Sequence, residues 1–310
     1  MTGGIFLGID GGGTKTEFVC MDAAGTVLAT ALTGTTYHLQ VGFEEVMRRL
    51  QAGISQVCAA AGIAPAAIDH AFFGLPAYGE DSAVDPRIHA GCGAVLGHGR
   101  YAVGNDMICG WAGSLGCEDG INIVAGTGSI GYGERQGKSA RVGGWGEVFG
   151  DEGSAYWIAI KGLALFTRMS DGRTARGPLH QRIVTALSLA DDLDLCALAM
   201  GEGGMGRTEI AGLAGLVSEA AAAGDAGARS ILVRAGRELA DMALALRSSL
   251  EFPEGATVPV SWSGGVLSRE PIVRGEFLRL VGEHGFAAIE PRFAPGYGSA
   301  LYARKLAEPA

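Results

Sequence analysis

The sequence predicts an α/β protein of two similar halves, and three observations carry that prediction. At 310 residues the chain exceeds what one core organises, since single cores stop growing near ~250–300 residues and domains run at ~150. A strand, a glycine-rich turn and a second strand open the chain, and the same order restarts at residue 121. After each hairpin, apolar residues at helical spacing alternate with short buried strands. Two halves facing one another across a cleft are the simplest assembly.

Ile5–Ile9 reads as a buried strand, Asp10–Thr16 as a turn, and Glu17–Met21 and Gly25–Ala29 as two more strands. From Phe43 to Ala61 the residues Val46, Leu50, Ile54 and Val57 fall on one face of an amphipathic helix. Ala71–Leu75 is a strand, Arg87–Leu96 a helix, Tyr101–Val103 a strand ending at Asn105-Asp106, and Met107–Leu115 a helix. The second half begins with the strand Ile121–Ala125, the turn Gly126–Ser129 and a hairpin whose tip is Arg135–Gly137. Helices follow over Ser154–Met169, Leu179–Leu187, Glu209–Ala223 and Ala226–Leu250. The strand Val258–Trp262, a helix over Ile272–Glu283, the strand Phe286–Ile289 and a helix over Ser299–Leu306 complete the pattern.

Composition narrows the function. Hydrophobic residues make up 48% of the chain and charged residues 18%, the balance of a globular protein. The 24 basic against 33 acidic residues give a net charge of −9, which repels phosphate backbones and anionic lipid, so neither nucleic acid nor membrane is an expected partner. No run approaches ~18 apolar residues, and the first residues lack the basic segment of a signal peptide; the expected location is the cytoplasm. The 6 cysteines form no C-x-x-C pair and the histidines no H-E-x-x-H, which argues against a disulfide framework and a thiolate metal site. Glycine is in excess, 52 of 310 residues, and many glycines cluster where strands end.

Several of those clusters have the makings of an anion site. In Asp10-Gly11-Gly12-Gly13-Thr14-Lys15 the bare backbone lets N–H groups approach a phosphate, Thr14 adds a hydroxyl and Lys15 a positive charge, and Asp10 is placed to hold Mg²⁺ through water. Gly126-Thr127-Gly128-Ser129-Ile130-Gly131 matches the dinucleotide fingerprint in spacing. That fingerprint needs a helix opening inside the motif, whereas a turn-rich hairpin follows here. The segment reads instead as a second strand-turn-strand phosphate loop, with Thr127 and Ser129 as hydroxyl donors. Gly133–Ser139 falls one residue short of P-loop spacing and lacks its strand and helix.

Asp106 ends a strand and starts a helix, which suits a helix cap; between two phosphate loops it also suits the base that accepts a hydroxyl proton in phosphoryl transfer. At an unperturbed pKa near ~3.9 it would orient the hydroxyl and take its proton late. In Gly143–Ser154, the carboxylates of Asp151 and Glu152 and bare glycine backbone offer partners for sugar hydroxyls, with Trp145 packed on the ring or bracing the loop. Ser263-Gly264-Gly265-Val266 would let an adenosine lie flat on backbone, ATP being the nucleotide implied.

In order and spacing these segments resemble the superfamily of actin, heat-shock chaperones and sugar kinases. Asp10–Thr14 is similar to its first phosphate motif, Gly126–Ser129 to its second and Ser263–Val266 to its adenosine motif. Gly144-Trp145-Gly146 and Gly150-Asp-Glu-Gly-Ser-Ala-Tyr-Trp157 resemble the N-acetylglucosamine kinases of the BadF/BadG/BcrA/BcrD-type ATPase family. The resemblance implies two ribonuclease-H-like, actin-like ATPase domains flanking an ATP and sugar cleft. The first would span 1–115, joined by a C-terminal helix over 296–310, and the larger second would span 116–295.

The same resemblance implies Asp106 as catalytic base and Thr14 and Thr127 as phosphate contacts. It also implies Gly144, Trp145, Gly146 and Asp151 as sugar contacts, Ala211 as a nucleotide contact, and a homodimer. The expected activity is ATP-dependent phosphorylation of the 6-hydroxyl of N-acetylglucosamine or glucosamine, a small-molecule amino-sugar. Such kinases carry Asn-His-Trp in the loop after the first hairpin; here it reads Tyr37-His38-Leu39, so Tyr37 and His38 are the residues expected to bear on the identity of the sugar. Two rivals remain: an ATPase activator of a CoA-substrate dehydratase or reductase, for which Cys92 and Cys117 would be the pair to inspect at an iron–sulfur cluster, and a non-catalytic sugar- or ATP-sensing regulator.

Overall fold

A computed structural model describes residues 3–308, and the chain divides into two compact units. One runs to Gly120 and resumes at Ile289; the other spans Ile121–Ala288. Residues 1, 2, 309 and 310, the outer ends of the expected first domain, lie outside the described residues.

The first unit opens with β1 (Ile5–Gly11), β2 (Lys15–Asp22) and β3 (Val27–Gly34), joined by tight turns. A single helical turn α1 (His38–Val41) leads into α2 (Phe43–Ala61), β4 (His70–Leu75), α3 (Asp85–Leu96), β5 (Tyr101–Asn105) and α4 (Met107–Leu115). The strands form one sheet in the order β3-β2-β1-β4-β5, with β1 antiparallel to β2 and parallel to β4, and β4 parallel to β5. The period-two pleat sends Leu7 and Ile9 of β1 into a core under α2, where Val46, Leu50, Ile54 and Val57 are all fully buried. Phe6 and Phe72 point to the opposite face, into a second cluster with Cys109 of α4. Helix α2 carries Glu44 and Glu45 in its first turn and ends on left-handed Gly62, so both of its ends carry helix-boundary signals.

The second unit repeats the plan with β6 (Gly120–Ala125), β7 (Ser129–Arg135), β8 (Lys138–Gly143), α5 (Ala155–Ser170), α6 (Pro178–Leu187), α7 (Asp194–Met200), α8 (Arg207–Gly212), α9 (Ala214–Ala222), α10 (Ala226–Ser249), β9 (Val258–Ser263), α11 (Gly265–Arg269), α12 (Pro271–Glu283) and β10 (Phe286–Ala288). Its sheet order is β10-β9-β6-β7-β8. Ile121 and Ile123 of β6 and Val258, Val260 and Trp262 of β9 pack with α5, α10 and α12 around one core. The chain then returns to the first unit with α13 (Pro295–Ala307), which packs on β1 and α4.

Four helical details differ from the sequence expectation. The single helix over 209–223 is two, α8 and α9, separated at Leu213 beside Gly212, because apolar periodicity does not register a one-residue break. The last helix starts at Pro295 rather than Ser299, since a proline at the first helical position favours initiation instead of breaking it. Short helices α7 and α11 were not foreseen. Of Tyr37-His38-Leu39, expected as loop, His38 and Leu39 open α1 with Tyr37 just before it, the turn closed by the Gly42 amide donating to the His38 carbonyl at 2.8 Å.

Candidate active site

In the first unit the turn after β1 is closed by the Gly12 amide donating to the Lys15 carbonyl at 2.8 Å. Gly13, Thr14 and Lys15 stand exposed on it, and around Gly13 there is open space, so a bound anion would meet backbone there. The turn is braced from behind: Thr35 Oγ1 donates to the Gly12 carbonyl at 2.7 Å and itself accepts the Tyr37 amide at 3.0 Å. Thr35 was absent from the sequence expectation. It ties the Tyr37-His38 segment to the first glycine turn. His38 is buried, and neither of its ring nitrogens has a partner within the protein.

Asp10 closes β1 and Asp106 follows β5, so the sheet places both at strand ends, parallel neighbours of β4 on either side. Asp106 does not cap α4: its side chain makes no capping hydrogen bond. Its neighbour does that work, Asn105 Oδ1 accepting the Met107 amide at 3.1 Å while Asn105 Nδ2 donates to the Tyr78 carbonyl at 3.2 Å.

Both aspartates keep some exposed surface, yet protein surrounds them densely enough to desolvate the charged form. Burial pushes Asp106 up to about 7, with further increments from the charges of Asp10 and Glu80. Burial likewise pushes Asp10 up to about 7; hydrogen bonding with the Cys109 thiol and the charge of Lys15 offset part of the rise, and Glu17 adds to it. The ordinary carboxylate pKa assigned to Asp106 from sequence is therefore corrected, because sequence does not reveal desolvation or a second carboxylate across β4.

In the second unit three expected motifs come together. The turn Gly126–Ser129 is laced to the start of α5, whose Ala155 and Tyr156 amides donate to the carbonyls of Gly126 and Thr127 at 2.9 and 3.2 Å. Ser129 Oγ donates to the Glu152 carbonyl at 2.7 Å, and the Ser129 amide donates to Asp151 Oδ1 at 3.3 Å. Ser129, expected as a phosphate donor, thus spends its hydroxyl on the loop itself, whereas Thr127 is exposed. Gly264, at φ 91°, sits so close to β6 that a Cβ there would lie 2.5 Å from the Ala125 carbonyl oxygen. Only glycine fits. Gly265 beside it opens α11 with free space around its Cα.

Asp151, expected as a sugar contact, is 3% exposed, with a left-handed backbone at φ 56°. Its carboxylate already holds two partners, the Ser129 amide and the guanidinium of Arg207, which also lies 3.1 Å from Glu147. A Cβ on Gly128 would meet Asp151 Oδ2 at 2.8 Å and collide with Arg207 Nη2. Arg207 was not anticipated. One signal did exist, because a cation at the start of a helix opposes the helix dipole and calls for nearby carboxylates.

Ala211 is buried one turn further along α8 from Arg207, at the i,i+4 spacing that shares a helix face. Gly144 donates its amide to the Ser129 carbonyl at 3.0 Å, so the glycine-tryptophan segment also joins the second turn. Trp145 is 72% exposed, and Val148 and Phe149 are exposed close by in sequence. Cys92 is fully buried, and burial pushes its thiol up to about 12, unlike a thiolate metal ligand.

Known proteins are similar to this chain over most of its length. The chain is 32% identical to the N-acetylmuramic acid/N-acetylglucosamine kinase of Clostridium acetobutylicum over 89% of each chain. It is 29% identical to the N-acetyl-D-glucosamine kinase of Dictyostelium discoideum over 96% of this chain and 97% of that one. A solved structure from Chromobacterium violaceum, provisionally assigned as an N-acetylglucosamine kinase, superposes with a TM-score of 0.73 at 26% identity over 98% of this chain and all of the other. The ROK hexokinase of Thermus thermophilus shares the fold at a TM-score of 0.60 and 18% identity, covering 98% of this chain and 100% of that one. With the model of the BadF/BadG/BcrA/BcrD ATPase family matching residues 7–303, this chain belongs to that family.

Proposed function

We propose that the protein is an ATP-dependent hexosamine kinase that transfers the γ-phosphoryl group to the 6-hydroxyl of N-acetylglucosamine or glucosamine. The observation that carries this is Asp106: a carboxylate at a strand end that makes no capping hydrogen bond, its pKa raised to about 7 by burial and by the charges of Asp10 and Glu80. A general base works best with a pKa near the working pH. Asp106 orients the sugar hydroxyl and accepts its proton as the phosphoryl group leaves ADP, in a transition state with little covalent demand on the protein. The names of the two curated relatives support the substrate class.

In the first unit Gly12, Gly13, Thr14 and Lys15 are assigned to ATP; in the second, Thr127 and Gly128 are assigned to its phosphates, with Ser129 bracing their turn through its hydroxyl bond to the Glu152 carbonyl, and Ala211, Gly264 and Gly265 to the nucleoside. Backbone amides and the Lys15 charge stabilise phosphoryl oxygens. Gly144, Trp145, Gly146 and Asp151 serve the sugar, with Tyr37 and His38 bearing on its 2-substituent. The residues also suit Mg²⁺: Asp10 and Asp106 are two carboxylates at strand ends on either side of β4, and Asp10, beside the first glycine turn, is the one to hold the ion through water. Bound there, the ion would neutralise phosphate charge. Among the described residues no helix is long and apolar enough to cross a membrane; we place the enzyme in the cytoplasm, and the family resemblance supports a homodimer.

An ADP-release assay over a panel of N-acetylglucosamine, glucosamine, N-acetylmuramic acid and glucose tests the proposal. Amino-sugars should give the highest kcat/KM. ADP release that no sugar accelerates would overturn it.

A further inference from the structure

Arg207 stands at the first position of α8, where its charge opposes the helix dipole, and two carboxylates answer it: Asp151, to which Nη2 donates, and Glu147. A buried carboxylate needs a partner, and Asp151 gets Arg207 on one oxygen and the Ser129 amide on the other. The pair is packed over Gly128 so closely that a Cβ there would force the guanidinium and the carboxylate to shift. A continuous set of contacts therefore runs from the guanidinium through Asp151 to the Gly126–Ser129 turn. That same carboxylate is the one assigned to the sugar.

We infer that Arg207 is a positioning residue that couples sugar binding to nucleotide binding in the second unit, an inference that rests on the kinase function proposed above. A sugar hydroxyl donating to Asp151 changes what the carboxylate offers Ser129 and Arg207, so the phosphate turn responds to the sugar. The backbone of Asp151 cannot give way freely, since a left-handed non-glycine residue persists only where its surroundings fix it. Arg207, together with the Ser129 amide, fixes the side chain.

The test measures ADP affinity by calorimetry with and without saturating N-acetylglucosamine, beside sugar KM and kcat. Wild type should show an affinity ratio of about fivefold or more, the scale of ordinary coupling between sites. Arg207→Gln should bring that ratio close to one and raise the sugar KM more than it lowers kcat, and Arg207→Lys should recover part of both, having the charge without the planar fork. A purely structural role would lower the melting temperature without changing the ratio. A folded Arg207→Gln with the wild-type ratio overturns the inference; should that variant not fold, a wild-type ratio and sugar KM in Arg207→Lys do the same. A wild type that phosphorylates amino-sugars with no coupling at all also overturns it and leaves the kinase function standing, whereas a wild type inactive on every sugar removes the kinase function itself.

Discussion

Asn105 Oδ1 accepts the Met107 amide at 3.1 Å, whereas the neighbouring Asp106 side chain makes no capping hydrogen bond. Two adjacent residues of similar shape differ in role at the helix start, the amide of Asn105 holding it, and the acid of Asp106 is the one proposed above as the base. Asp106→Asn should therefore lower kcat by roughly 10²–10⁴, the usual worth of a positioned base, with no loss of melting temperature. Asn105→Ala should do the reverse, costing ~0.5–2 kcal/mol of stability through the lost cap with a far smaller effect on kcat. Near wild-type turnover in Asp106→Asn would rule out the base.

The same carboxylates set a pH dependence. Asp10 and Asp106 hold protons up to about 7 in the folded protein, against ~3.9 in an unfolded chain. Between those values the folded state binds more protons, so stability falls as pH rises through the window and levels off above it. In the presence of a chelator, the melting temperature should be lower at pH 8 than at pH 5.5 by several degrees, at about 2–4 °C per kcal/mol for a protein this size. Asp106→Asn should shrink that difference by raising the value at pH 8. An unchanged difference in the variant would show that another group is responsible.

Much of the fold was legible because its signals are local. Val46, Leu50, Ile54 and Val57 mark α2 to the residue, and the glycine turn with strands on both sides separates this fold from a dinucleotide-binding one without any tertiary information. What stayed hidden depends on contacts distant in sequence. Arg207 meets Asp151 across 56 residues, and Thr35 reaches the Gly12 carbonyl across 23. Desolvation of Asp106 likewise arises from its surroundings, with Asp10 arriving from another strand. Residue type alone made Ser129 a hydroxyl donor to phosphate, since nothing in the sequence shows that Glu152 takes that hydroxyl.

The second glycine turn should answer to nucleotide rather than to sugar. Thr127→Val removes one exposed hydroxyl, worth ~1–1.5 kcal/mol or about tenfold in ADP affinity. Gly128→Ala should do more, because its Cβ would meet Asp151 Oδ2 at 2.8 Å and displace Arg207 as well. Calorimetric titration of ADP into both variants checks this, and unchanged affinity in both would exclude a phosphate role for the second turn.

His38 offers a separation of function from stability. Its ring is buried with neither nitrogen partnered within the protein, an arrangement that costs free energy until a ligand supplies the bond. His38→Phe should leave the melting temperature equal or higher while lowering kcat/KM for N-acetylglucosamine by ~1–3 kcal/mol, about five- to 150-fold. Tyr37→Asn should shift the ratio of kcat/KM between N-acetylglucosamine and glucosamine toward the acetylated sugar. Ratios that both variants leave unmoved would show that this segment does not face the 2-substituent.

Phosphorus NMR of wild-type enzyme incubated with ATP, Mg²⁺ and N-acetylglucosamine reads the transfer itself. One sugar 6-phosphate should appear for each ADP formed, with ADP formation near background when the sugar is left out or replaced by its 6-deoxy form. ADP that accumulates equally without sugar, and no sugar phosphate with it, would contradict phosphoryl transfer to a hexosamine.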